Sequence, residues 1–270
     1  MSKRETLLTA AADLPLNPDG ARPLFIVLAG RGGTGKSLLV RWICERAFAA
    51  GRAVVIADGD RTNRALPLFF EDVQAPPSAD DRVVRRWLET IVEQMITGRF
   101  HVVVDLGGGD MVLKQLAVEL DLQGLLEAQG VTSVILHLIG PEVESLGYLA
   151  SVEAIDPANP SGRPLFAPER TALILNEGLI PEGLDPVEVF APIREHKVFK
   201  AALRRNAQPI LMPQLKPAYE VNRRHISFAD AAAGQSKEGL PPLGITDRQR
   251  VRMWLTAMDR AFAPIAEWLP

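Results

Sequence analysis

Short apolar runs alternate with longer stretches of helical period along most of this chain. LFIVLA (24–29), RAVVIAD (52–58), FHVVVD (100–105), TSVILHLI (132–139), TALILN (171–176) and QPILMP (208–213) are near-continuous and rich in branched side chains. That is the pattern of strands buried on both faces. Helical periodicity fills the intervals near 36–50, 80–97, 110–128, 142–154 and 194–206. The alternation predicts an α/β fold, a doubly wound and mostly parallel sheet with helices on both faces. The ligand of such a sheet sits in the loops at the carboxyl ends of its strands.

Two Pro- and Gly-rich stretches, DPANPSGRPLFAPER (156–170) and GQSKEGLPPLGITD (234–247), break the rhythm and read as loops. A last amphipathic helix carries Val251, Trp254, Leu255, Met258, Phe262 and Ile265 on one side. Pro264 and its mixed charges favour docking on the domain over lying on a membrane surface. Residues 1–22 read as a flexible lead-in, and 23–270 as one domain with a helical C-terminal region. Leu66, Leu68, Phe69 and Phe70 form an apolar cluster within 61–79 that is either core or interface.

With 270 residues and 47% hydrophobic composition there is ample material for a core. The single cysteine, Cys44, excludes a disulfide framework and a cysteine-built metal site within one chain, and it reads as a buried apolar residue. No apolar stretch is long enough to span a bilayer, and the first residues make a poor signal peptide, so a cytoplasmic location without an integral membrane segment is expected. The net charge of −3 conceals an asymmetry. Between Arg194 and Arg252, twelve Lys and Arg face five acids, leaving the rest of the chain strongly acidic. This segment, with Arg204, Arg205, Arg223 and Arg224, is either a DNA- or partner-binding surface or an ordinary solvated face.

The chemistry concentrates after the first apolar run. GRGGTGKS (30–37) fits G-x-x-x-x-G-K-[ST], the phosphate-binding P-loop, between a strand-like run and a helix. Its glycines let the backbone curl so that N–H groups point at phosphate oxygens, Lys36 supplies a charge to the β- and γ-phosphates, and Ser37 offers a hydroxyl to Mg²⁺. The following helix adds its positive end. The cofactors expected on this reading are ATP and Mg²⁺. Asp58 and Asp60 close the next run, and Asp105, followed by Gly107, Gly108 and Gly109, closes the one after. Acids placed there hold the metal's hydration shell or orient the attacking water, and turns or caps are the plainer alternative. His101 and His137 sit in strand-like runs and read as packed, and no Ser/His/Asp or metal-ligand spacing stands out.

GRGGTGKS resembles the deviant Walker A loop, K-G-G-x-G-K-[ST], of the ParA/MinD family of P-loop ATPases. VVIADGDRTN and FHVVVDLGGGD resemble that family's second aspartate motif and its Walker B and switch II region. TALILN, ending in Asn176, and ILMP, ending in Pro213, resemble its later strands near the base. The similarity runs in order over about residues 24–213, and the D-x-D-x-x-N spacing looks most like the plasmid stability and conjugation branch (TraL, StbB, MobD type). The resemblance implies that Gly30, Arg31, Gly32, Gly33, Thr34, Gly35, Lys36, Ser37 and Leu38 hold the nucleotide phosphates, with Asn176 and Pro213 at the base. It further implies that Ser37 binds Mg²⁺ with Asp105 behind it through water, and that Asp58 positions the hydrolytic water and stands near the metal. Lys36, Asp58 and Arg31 are the implied catalytic group.

In one respect the chain departs from the family. The signature lysine is Arg31 here, and arginine's planar fork is not a conservative replacement at a tight site. The resemblance gives Arg31 a role in trans across an ATP-dependent homodimer, where it would serve as an arginine finger. ATP is favoured over GTP because Glu177, Gly178 and Leu179 follow Asn176 and no [NT]-K-x-D motif appears. The expected function is a switch in DNA or plasmid partitioning, maintenance or transfer, with slow hydrolysis stimulated by a partner protein. An ATP-dependent ligase or small-molecule kinase, and a nucleotide-binding scaffold without turnover, are the alternatives on the same fold.

Overall fold

The computed structural model describes residues 21–108, 110–153, 165–237 and 239–270. Among them one seven-stranded sheet is formed by β1 (Leu24–Ala29), β2 (Val54–Gly59), β3 (Val73–Gln74), β4 (His101–Leu106), β5 (Thr132–Ile139), β6 (Thr171–Asn176) and β7 (Gln208–Met212). The spatial order is β3-β2-β4-β1-β5-β6-β7, and every neighbouring pair is parallel. Connections from β1 and β2 run toward one edge of the sheet and those from β5 and β6 toward the other. The order therefore reverses at β1, where such sheets open a crevice beyond their carboxyl ends.

Strand parity builds two cores. Leu24, Ile26 and Leu28 of β1 join one layer with α1 (Lys36–Ala49) and α11 (Ile245–Phe262). Phe25, Val27 and Ala29 join the opposite layer with α2 (Asp81–Gly98), α3 (Val112–Leu120) and α4 (Leu122–Ala128). Successive strand residues point to opposite faces, so a run apolar at every position demands helices on both sides. A third layer forms where α5 (Leu146–Val152), α7 (Ala191–Glu195) and α8 (Lys197–Arg204) cover β6.

The doubly wound architecture and the six longer strands match the sequence reading to within two residues at each end. The helix expected near 110–128 is two helices, broken at Asp121, which adopts left-handed φ +44°. The one near 194–206 is broken at His196, whose extended backbone caps α8 through Nδ1, which accepts from Val198 N. The loop expected at 156–170 falls partly outside the described residues, as do 1–20 of the lead-in. The cluster at 66–70 divides: Leu66 is buried, Phe70 packs on the core, and Leu68 is 51% exposed. Cys44, His101 and His137 are buried as expected; His101 Nδ1 accepts from Leu24 N, and His137 faces Glu153 at 2.8 Å.

The C-terminal region docks on the outer side of α1. Val251, Trp254, Met258 and Phe262 of α11 are buried, with Phe262 against Trp42 at 4.9 Å between ring centroids. A polar fastening accompanies this apolar contact. Arg41 of α1 is 2% exposed, and its guanidinium lies over the rings of Phe69 and Phe228, at 3.5 and 4.2 Å from their centroids. It donates to Asn222 Oδ1 at 2.7 Å, to the Ile226 carbonyl at 3.1 Å and to Glu45 at 3.4 Å. Glu45 in turn accepts from Phe228 N at 2.6 Å. One buried cation thus joins the helix after β1, the segment after β2 and the segment after β7. Removing a single member of a buried, hydrogen-bonded ion pair strands its partner. Arg41→Leu is expected to cost about 3–5 kcal/mol in urea unfolding and to speed amide exchange over residues 222–230. Unfolding and exchange matching wild type would show that the apolar contacts alone hold the region.

Candidate phosphate-binding site

The glycine-rich loop leaves β1 at the point where the strand order reverses and runs into α1. Lys36 opens the helix yet is only 6% exposed, because its side chain folds back over the loop. Its ammonium donates to the Arg31 carbonyl at 2.9 Å and to the Gly30 carbonyl at 3.3 Å. Burial lowers its pKa, while Asp105 and Asp60 pull the other way. Thr34 Oγ1 closes the loop by donating to the Arg31 carbonyl at 2.8 Å.

Parity also sets the acids. Asp105 follows Val103 by two residues and Asp58 follows Ile56 by two, and both of those apolar residues belong to the layer that contains α1. Asp58 and Asp105 are register partners on β2 and β4. Both therefore end on the α1 side of the sheet, 1% exposed. Ser37 Oγ donates to Asp105 Oδ2 at 2.7 Å. Asp58 Oδ1 accepts from Asp60 N at 3.1 Å. The remaining oxygens, Asp105 Oδ1 and Asp58 Oδ2, are buried without a hydrogen-bond partner among the described residues. Burial raises Asp58 to about 7 and Asp105 to about 6, against the hydrogen bonds from Asp60 N and Ser37 respectively. Asp60 differs. Burial would raise it, but its Oδ1 accepts from Thr62 N, Thr62 Oγ1 and Asn63 N, and its pKa is lowered overall.

These residues suit a hydrated Mg²⁺. A hydroxyl and two carboxylates with unsatisfied oxygens surround one place, and water can bridge from the carboxylates to the ion. Among the described residues no cluster of three or more His, Cys, Asp or Glu could hold a metal ion, so its remaining ligands would come from phosphate and water. Backbone from the glycine run presses close: a Cβ added at Gly108 would stand 2.3 Å from Gly32 N. Only glycine permits that approach between the segment after β4 and the loop. Arg61 fastens the same segment, donating to Asp110 Oδ2 from Nε at 3.1 Å and from Nη2 at 2.8 Å. This clasp carries no motif and could not be foreseen from the sequence.

Asn176 lies beneath the loop. Its Nδ2 donates to the Thr34 carbonyl at 2.8 Å, and its Oδ1 accepts from Gly178 N at 2.8 Å. A Cβ at Gly35, where φ is +95°, would stand 2.5 Å from Asn176 Nδ2. Both ends of this amide are engaged within the chain, and the residue is 4% exposed. Pro213 is half-buried beyond β7, its carbonyl accepting from Trp254 Nε1 at 3.0 Å. Leu38 is half-buried on α1. Arg31 is exposed and its side chain makes no hydrogen bond or ion pair among the described residues. In the basic segment, Lys200, Arg223, Arg224 and Arg250 face acids of the same segment, and Arg205 donates to the Glu153 carbonyl. No helix is long and apolar enough to cross a membrane among the described residues.

Both raised carboxyls have a consequence for stability. Each holds its proton to a higher pH in the folded chain than in the unfolded one. The folded state therefore binds more protons between about pH 4 and 7, and stability falls as pH rises through that window. Asp58→Asn is expected to flatten this loss by at least about 1 kcal/mol between pH 5 and 8 in urea titrations without metal. An unchanged pH profile would show that Asp58 is not held protonated.

Residues 9–138 match the family model described as Zeta toxin, a stretch that includes the loop and both acids and falls just short of half the chain. No curated protein matches the sequence. Similar solved structures include a chain of the MinC:MinD cell division protein complex of Aquifex aeolicus, at 14% identity and a TM-score of 0.47, over 87% of this chain and 96% of that one. The signal recognition particle receptor FtsY from Elizabethkingia anophelis aligns at 14% identity and 0.45, over 93% and 71%. The hydrogenase maturation factor HypB from Archaeoglobus fulgidus aligns at 12% and 0.40, over 83% and 97%. With the loop between β1 and α1, acids closing β2 and β4, and an all-parallel sheet reversing at β1, this chain has the fold of a P-loop NTPase.

Proposed function

We propose that the chain is a Mg²⁺-dependent ATPase, acting through one catalytic domain over 23–270. Its ATP-bound form pairs with a second copy and hydrolysis releases it. One observation carries the reading: Asp58 and Asp105 are register partners on neighbouring strands, with Ser37 bonded to Asp105 and Lys36 in the adjoining loop. Amides of 30–38 and the Lys36 ammonium hold the phosphates, exchanging loop carbonyls for phosphate oxygens. Ser37 and Asp105 would hold Mg²⁺, which would supply neutralising charge to the nucleotide's phosphates. Asp58 orients a water toward the γ-phosphorus and accepts its proton as the new P–O bond forms and the β–γ bridging bond breaks, giving ADP and phosphate.

The pairing rests on Arg31. An exposed guanidinium on the phosphate loop, without a bond or ion pair among the described residues, would reach a partner's phosphates, as the resemblance to the ParA/MinD loop implies. That resemblance is also the basis for a role in DNA or plasmid partitioning, maintenance or transfer in the cytoplasm, with a partner protein stimulating turnover. The DNA contact would fall to those cations of 194–252 without an acidic partner among the described residues, and its affinity would then fall steeply with salt.

Phosphate release and light scattering test the proposal together. Lys36→Ala is expected to lower turnover by about a hundredfold or more. Asp58→Ala should lower it by about 10²- to 10⁴-fold while retaining ATP binding. A dimer should form with ATP–Mg²⁺, not with ADP, and should be lost in Arg31→Ala. Turnover that survives Lys36→Ala would overturn the catalytic assignment, and a mass independent of nucleotide would overturn the switch.

A further inference from the structure

Where the nucleoside goes is a separate question from where the phosphates go, and the structure bears on it. Asn176 is turned beneath the loop, with one N–H given to the Thr34 carbonyl and its Oδ1 accepting from Gly178 N, and it is buried. A nucleotide held through Ser37 must carry its sugar and base outward past the first turn of α1. There a cleft of about 370 Å³ opens, with Ser37, Leu38 and Arg41 of α1 on its floor. A cavity of that size lies within the range that takes a small organic ligand.

Its two walls come from distant parts of the chain. Ala65, Leu68 and Phe69 belong to the segment after β2, and Tyr219, Asn222 and Arg223 to the segment around α9 (Ala218–Asn222), after β7. Leu68 is 51% exposed and Tyr219 is 75% exposed, so an apolar and an aromatic side chain line the cleft with much of their surface in solvent. Polar groups converge there uncommitted. Arg223 spends only Nε, on Glu220 at 3.0 Å, and its two Nη groups make no bond among the described residues. His225 is held at left-handed φ +48°, edge-on to Phe69 at 5.6 Å between centroids, with no hydrogen bond from its ring nitrogens among the described residues. A non-glycine residue kept in that region marks a position whose geometry is imposed by its surroundings. Among the described residues no carboxylate lines the cleft.

We infer that this cleft is the nucleoside site, in which Leu68 and Tyr219 close on the faces of the base and Arg223 meets its acceptor edge. The inference rests on the nucleotide reading above and goes further. It makes the base, rather than the phosphates, the group that draws the segment after β2 and the segment after β7 together. Arg41 already joins those segments behind the cleft.

Calorimetric titration of the full chain with ATP–Mg²⁺ and with tripolyphosphate–Mg²⁺ separates the two questions. Tyr219→Ala and Leu68→Ala lie at the surface and leave the loop intact. Each is expected to weaken ATP about tenfold while leaving tripolyphosphate unchanged. ATP affinity unchanged in both variants would overturn the inference. Equal losses for ATP and tripolyphosphate would overturn it too, since the cleft would then act on the loop rather than on a base. Wild type that binds neither ligand would overturn the phosphate-site reading, and this inference with it.

Discussion

The ammonium of Lys36, buried within its own loop, is the constraint on which the rest of this structure turns. Among the described residues its hydrogen bonds go to two backbone carbonyls, and burial works against its charge. The counter-charges stand in the next layer, on Asp105 and Asp60. Asp105 is where it is because β1, β2 and β4 are parallel neighbours whose even and odd residues separate onto opposite faces, and Asp60 follows directly on the end of β2. A single-residue slip of β4 would turn Asp105 away from Ser37 and toward α2. The apolar runs that fix strand register therefore also fix the charge pattern at the strand ends.

That pattern is unfinished within the chain. Asp58 and Asp105 are pushed toward neutrality by burial, and each keeps one oxygen without a partner. Unsatisfied buried acceptors beside a desolvated cation cost stability unless a ligand completes them. On the proposed function a triphosphate with its divalent cation would do so on both counts, giving anionic oxygens to Lys36 and a hydrated cation to the carboxylates. The cost of these unmet groups would then be the counterpart of affinity for the ligand. The close approach of Gly108 to Gly32 carries any movement of the loop into the segment clasped by Arg61 and Asp110.

Much of this was legible in the sequence, for identifiable reasons. The strands announced themselves because burial on both faces leaves few polar positions inside them, and the loop because its glycines and Lys36 answer a fixed chemical need. Asp58 and Asp105 were legible as strand-end acids. The short β3 was not, since two residues in a Pro-rich stretch carry no period. Nor were the breaks at Asp121 and His196, where backbone conformation interrupts a sequence that remains helical in composition. No sequence motif marks Arg41; the arrival of Asn222, Ile226 and Phe228 from nearly two hundred residues away buries it. The commitment of the Asn176 amide beneath the loop is likewise a matter of packing between β6 and the loop that no linear pattern encodes.

The central claim is that Ser37 and Asp105 hold a divalent cation together with a nucleotide's phosphates. Electron paramagnetic resonance with Mn²⁺ in place of Mg²⁺, detecting phosphorus couplings from bound ATP, tests it most directly. The account predicts a nucleotide-dependent Mn²⁺ signal with phosphorus couplings in the wild type, abolished or strongly weakened in Ser37→Ala and Asp105→Asn. Mn²⁺ bound equally well without nucleotide, or couplings unchanged in both variants, would contradict it.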